Sequence, residues 1–114
     1  MSPITTHILD TSKGCPITNV LVRLEQQNQD GSWRELSSGT TDNDGRIMNL
    51  LPEEEVLDSG VYQMIFLTAP YFEKQGGSFF YPEIEIRFLL HHPEQHYHIP
   101  LLLSPFGYST YRGS

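Results

Sequence analysis

Residues 95–103 read Gln95-His96-Tyr97-His98-Ile99-Pro100-Leu101-Leu102-Leu103, and their alternation decides the fold. Successive side chains of an extended strand point to opposite faces. Tyr97, Ile99, Leu101 and Leu103 therefore share one side, and His96, His98, Pro100 and Leu102 share the other. The first side is that of a strand packed on a hydrophobic core. The second carries two imidazoles, which is odd for a plain sandwich strand. Pro100 has no N–H to give to a ladder, so a bulge or an edge-facing nitrogen is expected there.

The same period recurs on both sides of this stretch. In residues 81–90, Ile84, Ile86 and Phe88 face inward while Glu83, Glu85 and Arg87 face water. In residues 17–25, Val20, Val22 and Leu24 oppose Leu21, Arg23 and Glu25. Residues 4–9 and 61–68 also read as strands. Residues 33–40 return from a hairpin signalled by Asn28-Gln29-Asp30-Gly31. Short runs at Arg46 and at residues 108–111 complete the set. Residues 69–77, with Pro70 near the start and Gly76-Gly77 at the stop, form the only expected helix. No window holds a helical period for three turns, and Gly or Pro turns separate the strands at short intervals. An all-β sandwich or barrel follows, as one domain over residues 1–114.

Composition narrows the function. A chain of 114 residues has room for one packed core. Fourteen Asp and Glu against seven Lys and Arg give a formal charge of -7, which repels nucleic acid and anionic lipid. Neither is an expected partner, and no stretch reaches membrane-spanning length. The acids are dispersed, and their one run, Glu53-Glu54-Glu55, reads as a solvated loop. Cys15 is the sole cysteine, so no intrachain disulfide can form, and between Gly14 and Pro16 it carries no sign of activation. Residues 1–10 lack the basic start and long apolar run of a secretory signal, so a cytoplasmic location is expected. Asp42-Asn43-Asp44-Gly45 lacks the alternating ligands and distal Glu of a calcium loop and reads as a turn.

The candidate chemistry lies with the histidines. His91 and His92 precede Pro93 in what reads as an exposed turn. His7 shares its strand face with Thr5 and Leu9, and alone it suits a sheet histidine with a satisfied ring. Spacing leaves His96 and His98 open between a general-base pair, a zinc site and a structural role.

Several stretches together resemble the 5-hydroxyisourate hydrolases, the enzyme branch of the transthyretin family. They are His7-Ile8-Leu9-Asp10 with Gly14 and Pro16, Asp44-Gly45-Arg46, His96 through Pro105, and Tyr108 through Ser114. The terminal Tyr111-Arg112-Gly113-Ser114 is the most specific of them. The resemblance implies a transthyretin-like (prealbumin) sandwich of two four-stranded sheets with one short helix. It also implies a homotetramer, a dimer of dimers with sites in the cleft between dimers, and no cofactor.

The implied activity is hydrolysis of 5-hydroxyisourate to 2-oxo-4-hydroxy-4-carboxy-5-ureidoimidazoline in urate catabolism. His7, Arg46 and His98 would be catalytic, and Tyr111 and Ser114 would join them in binding substrate. Arg112 would fix the tail by pairing with an acid. In the hormone-carrying branch a lysine stands in place of His7, a glutamate in place of Arg46, and threonines in place of His98 and Tyr111. Three other readings remain on the same scaffold: a non-catalytic carrier of an aromatic ligand, a zinc-binding sandwich, and a purely structural sandwich. In the second, zinc at His7, His96 and His98 would be adventitious to a hydrolase or the protein's own ligand.

Overall fold

The computed structural model describes residues 2–113. In chain order the elements are β1 (Ile4–Asp10), β2 (Cys15–Pro16), β3 (Leu21–Gln27), β4 (Trp33–Thr40), β5 (Arg46–Ile47) and β6 (Gly60–Phe66). The helix α1 (Ala69–Gln75) follows, then β7 (Ile84–Leu90), β8 (Tyr97–Ser104) and β9 (Gly107–Thr110). One sheet runs β4-β3-β6-β7, antiparallel throughout. The other runs β2-β1-β8-β9, with β5 also on β1. No helix among the described residues is long and apolar enough to cross a membrane.

The second sheet explains how five strands fill a width of four. β8 runs parallel to β1 along its whole length, from Ile4↔Tyr97 to Asp10↔Leu103. The opposite edge of β1 is shared end to end by β5, at Thr6↔Ile47 and His7↔Arg46, and β2, at Leu9↔Pro16 and Asp10↔Cys15. The expected pair of four-stranded sheets thus gains a fifth strand, because one edge position is divided between two short segments.

The core lies where alternation puts it. Ile4 and Ile8 of β1 and Tyr97, Ile99, Leu101 and Leu103 of β8 are buried against Val22, Leu24, Tyr62, Met64, Phe66, Ile84 and Ile86 of the other sheet. Full burial of such a side chain stabilises the fold by about 1.5–3 kcal/mol relative to leaving it exposed. The helix packs through Phe72 and is tied to β1 by the Tyr71 hydroxyl, which donates to Asp10 at 2.6 Å.

Several expected boundaries move. The strand expected from residue 17 starts at Leu21, because residues 17–20 cross between sheets. There Ile17 N–H donates to Ile8 of one sheet, Asn19 takes φ 63°, and the buried Thr41 hydroxyl accepts from Val20 N–H and donates to the Ile17 carbonyl. The strands expected over 61–68 and 81–90 are instead Gly60–Phe66 and Ile84–Leu90. Residues beyond them belong to the helix approach, where Ala69 N–H donates to the Pro82 carbonyl. No bulge interrupts the β1–β8 register at Pro100. That proline falls between the β8–β9 ladder, which starts at Leu101, and a single bridge at His98–Gly113, so no ladder donor is missed.

The turn before β5 sets the position of Arg46. The Asp42 carboxylate accepts from the N–H groups of Asp44 and Arg46, both at 2.9 Å, the Asx geometry of a tight turn. Gly45 is pressed against β1 at φ 74°, and a Cβ there would lie 2.6 Å from the Ile8 carbonyl oxygen and 2.9 Å from Pro16 Cβ. Gly45→Ala should therefore destabilise the fold by about 2 kcal/mol or more. A denaturation midpoint equal to the parent's would show that the turn can retreat without cost.

Candidate active site

Register brings the candidate residues together. In the parallel β1–β8 ladder Thr5 lies beside His98, and in the antiparallel β1–β5 ladder Arg46 lies opposite His7. Paired residues share a face, so Thr5, His7, Arg46 and His98 all rise from the side of the sheet away from the core. There a cavity of about 380 Å³ is lined by Thr5, Arg46, Met48, His96, His98, Tyr111 and Gly113. His7 is not among the lining side chains. Its ring stands next to the site and feels Arg46, and His98 feels its charge in turn. His91 and His92 are exposed, as their turn position implies.

Thr5 is the pivot of the site. It is fully buried, and its hydroxyl oxygen lies 2.7 Å from His98 Nδ1 and 3.0 Å from His96 Nε2. A hydroxyl has one proton to give. The two imidazoles, with ring centroids 6.5 Å apart, are thus linked through a single shared oxygen. That use of ring nitrogens also bears on zinc. Among the described residues no group of three His, Cys, Asp or Glu is placed to hold a metal ion, so the set His7, His96 and His98 is not assembled as a ligand sphere.

The C-terminal segment closes the site. Gly113 N–H donates to the His98 carbonyl at 2.8 Å, and a Cβ on Gly113 would lie 2.8 Å from His98 Cδ2. Only a residue without a side chain lets the backbone lie this close to the imidazole. The Thr110 hydroxyl donates to the Pro100 carbonyl at 2.7 Å. Arg112 does hold the tail, but among the described residues its partners are not acids. It donates to Gln95 Oε1 at 2.9 Å and to the His96 carbonyl at 3.3 Å, and its guanidinium sits 4.3 Å from the Tyr97 ring centroid. Tyr111 is placed as a wall of the cavity. Ser114, the remaining expected substrate-binding residue, lies outside the described residues.

The electrostatics favour neutral imidazoles. Burial, followed by the charges of His7, His96 and Arg46, lowers the His98 pKa from the ordinary 6.5. Burial and then Arg46 lower that of His7, against the opposing pull of the Asp44 backbone and the Asp42 and Asp44 carboxylates. Burial is also the largest cause of lowering at His96. At neutral pH each ring therefore has a nitrogen lone pair to accept a proton. Arg46 is exposed and, among the described residues, forms no ion pair with Asp44, so its charge serves the cavity. A larger groove of about 510 Å³ beside the helix, lined by Lys13, Pro16, Leu67 and Tyr71 among others, contains no imidazole.

The sequence reading named His7, Arg46, His98 and Tyr111 but passed over Thr5 and Met48 as parts of the site. Thr5 carried one signal, its place two residues before His7 on the same strand face. Nothing local indicated that β8 would lie beside it.

The family model described as HIUase/Transthyretin family matches residues 4–113. The chain belongs to that family. A Salmonella typhimurium protein named 5-hydroxyisourate hydrolase is 48% identical over 111 residues, covering 97% of this chain and 80% of the relative. Sea bream transthyretin, solved in complex with thyroxine, superposes with a TM-score of 0.89 at 39% identity, over 97% of this chain and 94% of that one. Klebsiella pneumoniae 5-hydroxyisourate hydrolase gives 0.83 at 32% identity, over 97% and 98%. The HIUase/Transthyretin scaffold thus fits solved members named for both activities, and backbone shape does not choose between them.

Proposed function

We propose that this chain hydrolyses 5-hydroxyisourate, with His98 as general base and Arg46 as electrostatic stabiliser. The observation that carries the reading is the union, in one small cavity, of a lowered-pKa imidazole and a guanidinium. Thr5 engages Nδ1 of His98, which leaves Nε2 as the nitrogen for chemistry. In the proposed step Nε2 takes a proton from water, and the resulting hydroxide adds to a ring carbonyl carbon. The carbonyl oxygen becomes an oxyanion facing Arg46. The C–N bond then breaks, and the proton held on His98 passes to the leaving nitrogen, which opens the ring. His7, beside Arg46 but not lining the cavity, acts on His98 by mutual repulsion of their protonated forms, so that a proton on either ring disfavours a proton on the other. Tyr111 and Ser114 are the substrate-positioning groups of this reading.

The carrier reading needs an apolar channel, whereas imidazole, guanidinium and hydroxyl groups line much of this cavity. We also propose the dimer-of-dimers tetramer and the cytoplasm as the working assembly and compartment. The outer edges of β7 and β9, which pair with no further strand among the described residues, suit edge-to-edge pairing of two chains. The direct test follows the ultraviolet absorbance of freshly generated 5-hydroxyisourate. Its decay should accelerate in proportion to added protein, and decay at the buffer rate would remove the hydrolase reading.

A further inference from the structure

His96 has no part in the step above, yet its Nε2 points at the same hydroxyl that meets the base. We propose that Thr5 and His96 are positioning residues that lock His98 in its Nδ1–H tautomer. This rests on the reading of His98 as the base.

Two proton arrangements satisfy the shared oxygen, because Thr5 can donate to only one of the two rings that contact it. In the first, Thr5 donates to His98 Nδ1 and His96 Nε2–H donates to Thr5. His98 then carries its proton on Nε2, and its cavity-facing nitrogen can donate but not accept. In the second, Thr5 donates to His96 Nε2 and accepts from His98 Nδ1–H, which leaves a lone pair on His98 Nε2. Only the second makes His98 a base. The tautomer of an imidazole is set by the bond its other nitrogen makes, and here that bond depends on where the Thr5 proton goes. His96 as acceptor draws the proton away from His98.

The surroundings favour the second arrangement. Arg46 lines the cavity with His98, and a guanidinium there attracts the lone-pair end of the ring dipole. Among the described residues, the other charged or titratable groups acting on the pair are His7, toward His98, and Arg112, which acts on His96 and donates to its carbonyl. Thr5 is fully buried, so water does not compete for its oxygen. Gly113 lies close against the His98 side chain, near its Cβ, Cγ and Cδ2, and limits the room in which the ring can turn away from Thr5.

Long-range proton–nitrogen correlation spectra of the imidazoles, recorded above the His98 titration, read the tautomer without any substrate. The wild-type ring should be protonated on Nδ1. Thr5→Val removes the shared oxygen's proton and lone pairs at nearly constant shape, and His96→Phe keeps a ring but removes the acceptor. Both should shift His98 toward Nε2–H and lower kcat by about tenfold or more, with KM changed by less than about twofold. Thr5→Ser should recover most of the turnover lost in Thr5→Val, and His96→Gln, which retains an acceptor oxygen, should lose less than His96→Phe. A wild-type His98 protonated on Nε2, or a tautomer indifferent to both Thr5→Val and His96→Phe, would overturn the proposal. If the spectra are as expected but 5-hydroxyisourate is not turned over, the lock stands and the assigned reaction fails.

Discussion

Asparagine in place of His98 should lower kcat toward 5-hydroxyisourate by about a hundredfold or more, the cost of losing a positioned general base. The substitution suits the question because the asparagine amide can still bond the Thr5 hydroxyl, so the network around Thr5 is disturbed little. What disappears is the nitrogen lone pair that accepts the water proton. The pH profile supplies the second half of the test. Burial and the neighbouring charges of His7, His96 and Arg46 depress the His98 pKa, so the base is neutral above that value and is lost by protonation as pH falls through it. The acid limb of kcat/KM should therefore lie below the ordinary imidazole value of 6.5. The His98 limb should be absent from the asparagine variant. Near-normal turnover in that variant would transfer the base role to His7.

The parts of this site legible in the sequence were those written into single strands. Alternation in residues 95–103 placed His98 on the face away from the core, as found, because strand period depends only on backbone geometry. The turn at Asp42–Gly45 was equally local, since a side-chain carboxylate capping nearby N–H groups requires no partner from elsewhere. Thr5 was not legible as the hub, although its strand was. Its role comes from a parallel pairing with a strand 93 residues away, and parallel register leaves no mark within either segment. The same holds for β2 and β5, whose sharing of one edge follows from tertiary pairing. Arg112 illustrates a third limit. Its charge suggested an acid, but the tail's path offered an amide, a carbonyl and an aromatic face instead.

One scaffold serving a carrier and a hydrolase requires that the difference reside in a few positions on a common sheet face. Here that face carries Thr5, Arg46 and His98 from three different strands, held in register by a backbone that also superposes on sea bream transthyretin. The backbone fixes where side chains emerge. Whether the space between them binds or reacts depends on whether a base and a cation meet in it.

Gly113→Ala tests whether the tail contributes to catalysis or only covers the sheet. The new methyl carbon would lie 2.8 Å from His98 Cδ2 and 3.3 Å from its Cβ and Cγ, well inside van der Waals contact. The ring is anchored at Nδ1 by Thr5 at 2.7 Å, so the tail is the part free to yield. Lifting it breaks the bond from Gly113 N–H to the His98 carbonyl and moves Tyr111 from the cavity wall. A displacement on the order of 1 Å in substrate-positioning groups costs about tenfold to a hundredfold in rate, and kcat/KM should fall by that amount. Stability should change little, because one backbone hydrogen bond near a chain end contributes only about 1 kcal/mol, a shift of no more than about 5 °C in Tm for a domain of this size. Equal loss of stability and activity would make the tail a structural cover. A fall in kcat/KM with Tm maintained would place the close approach of glycine to imidazole within the catalytic site.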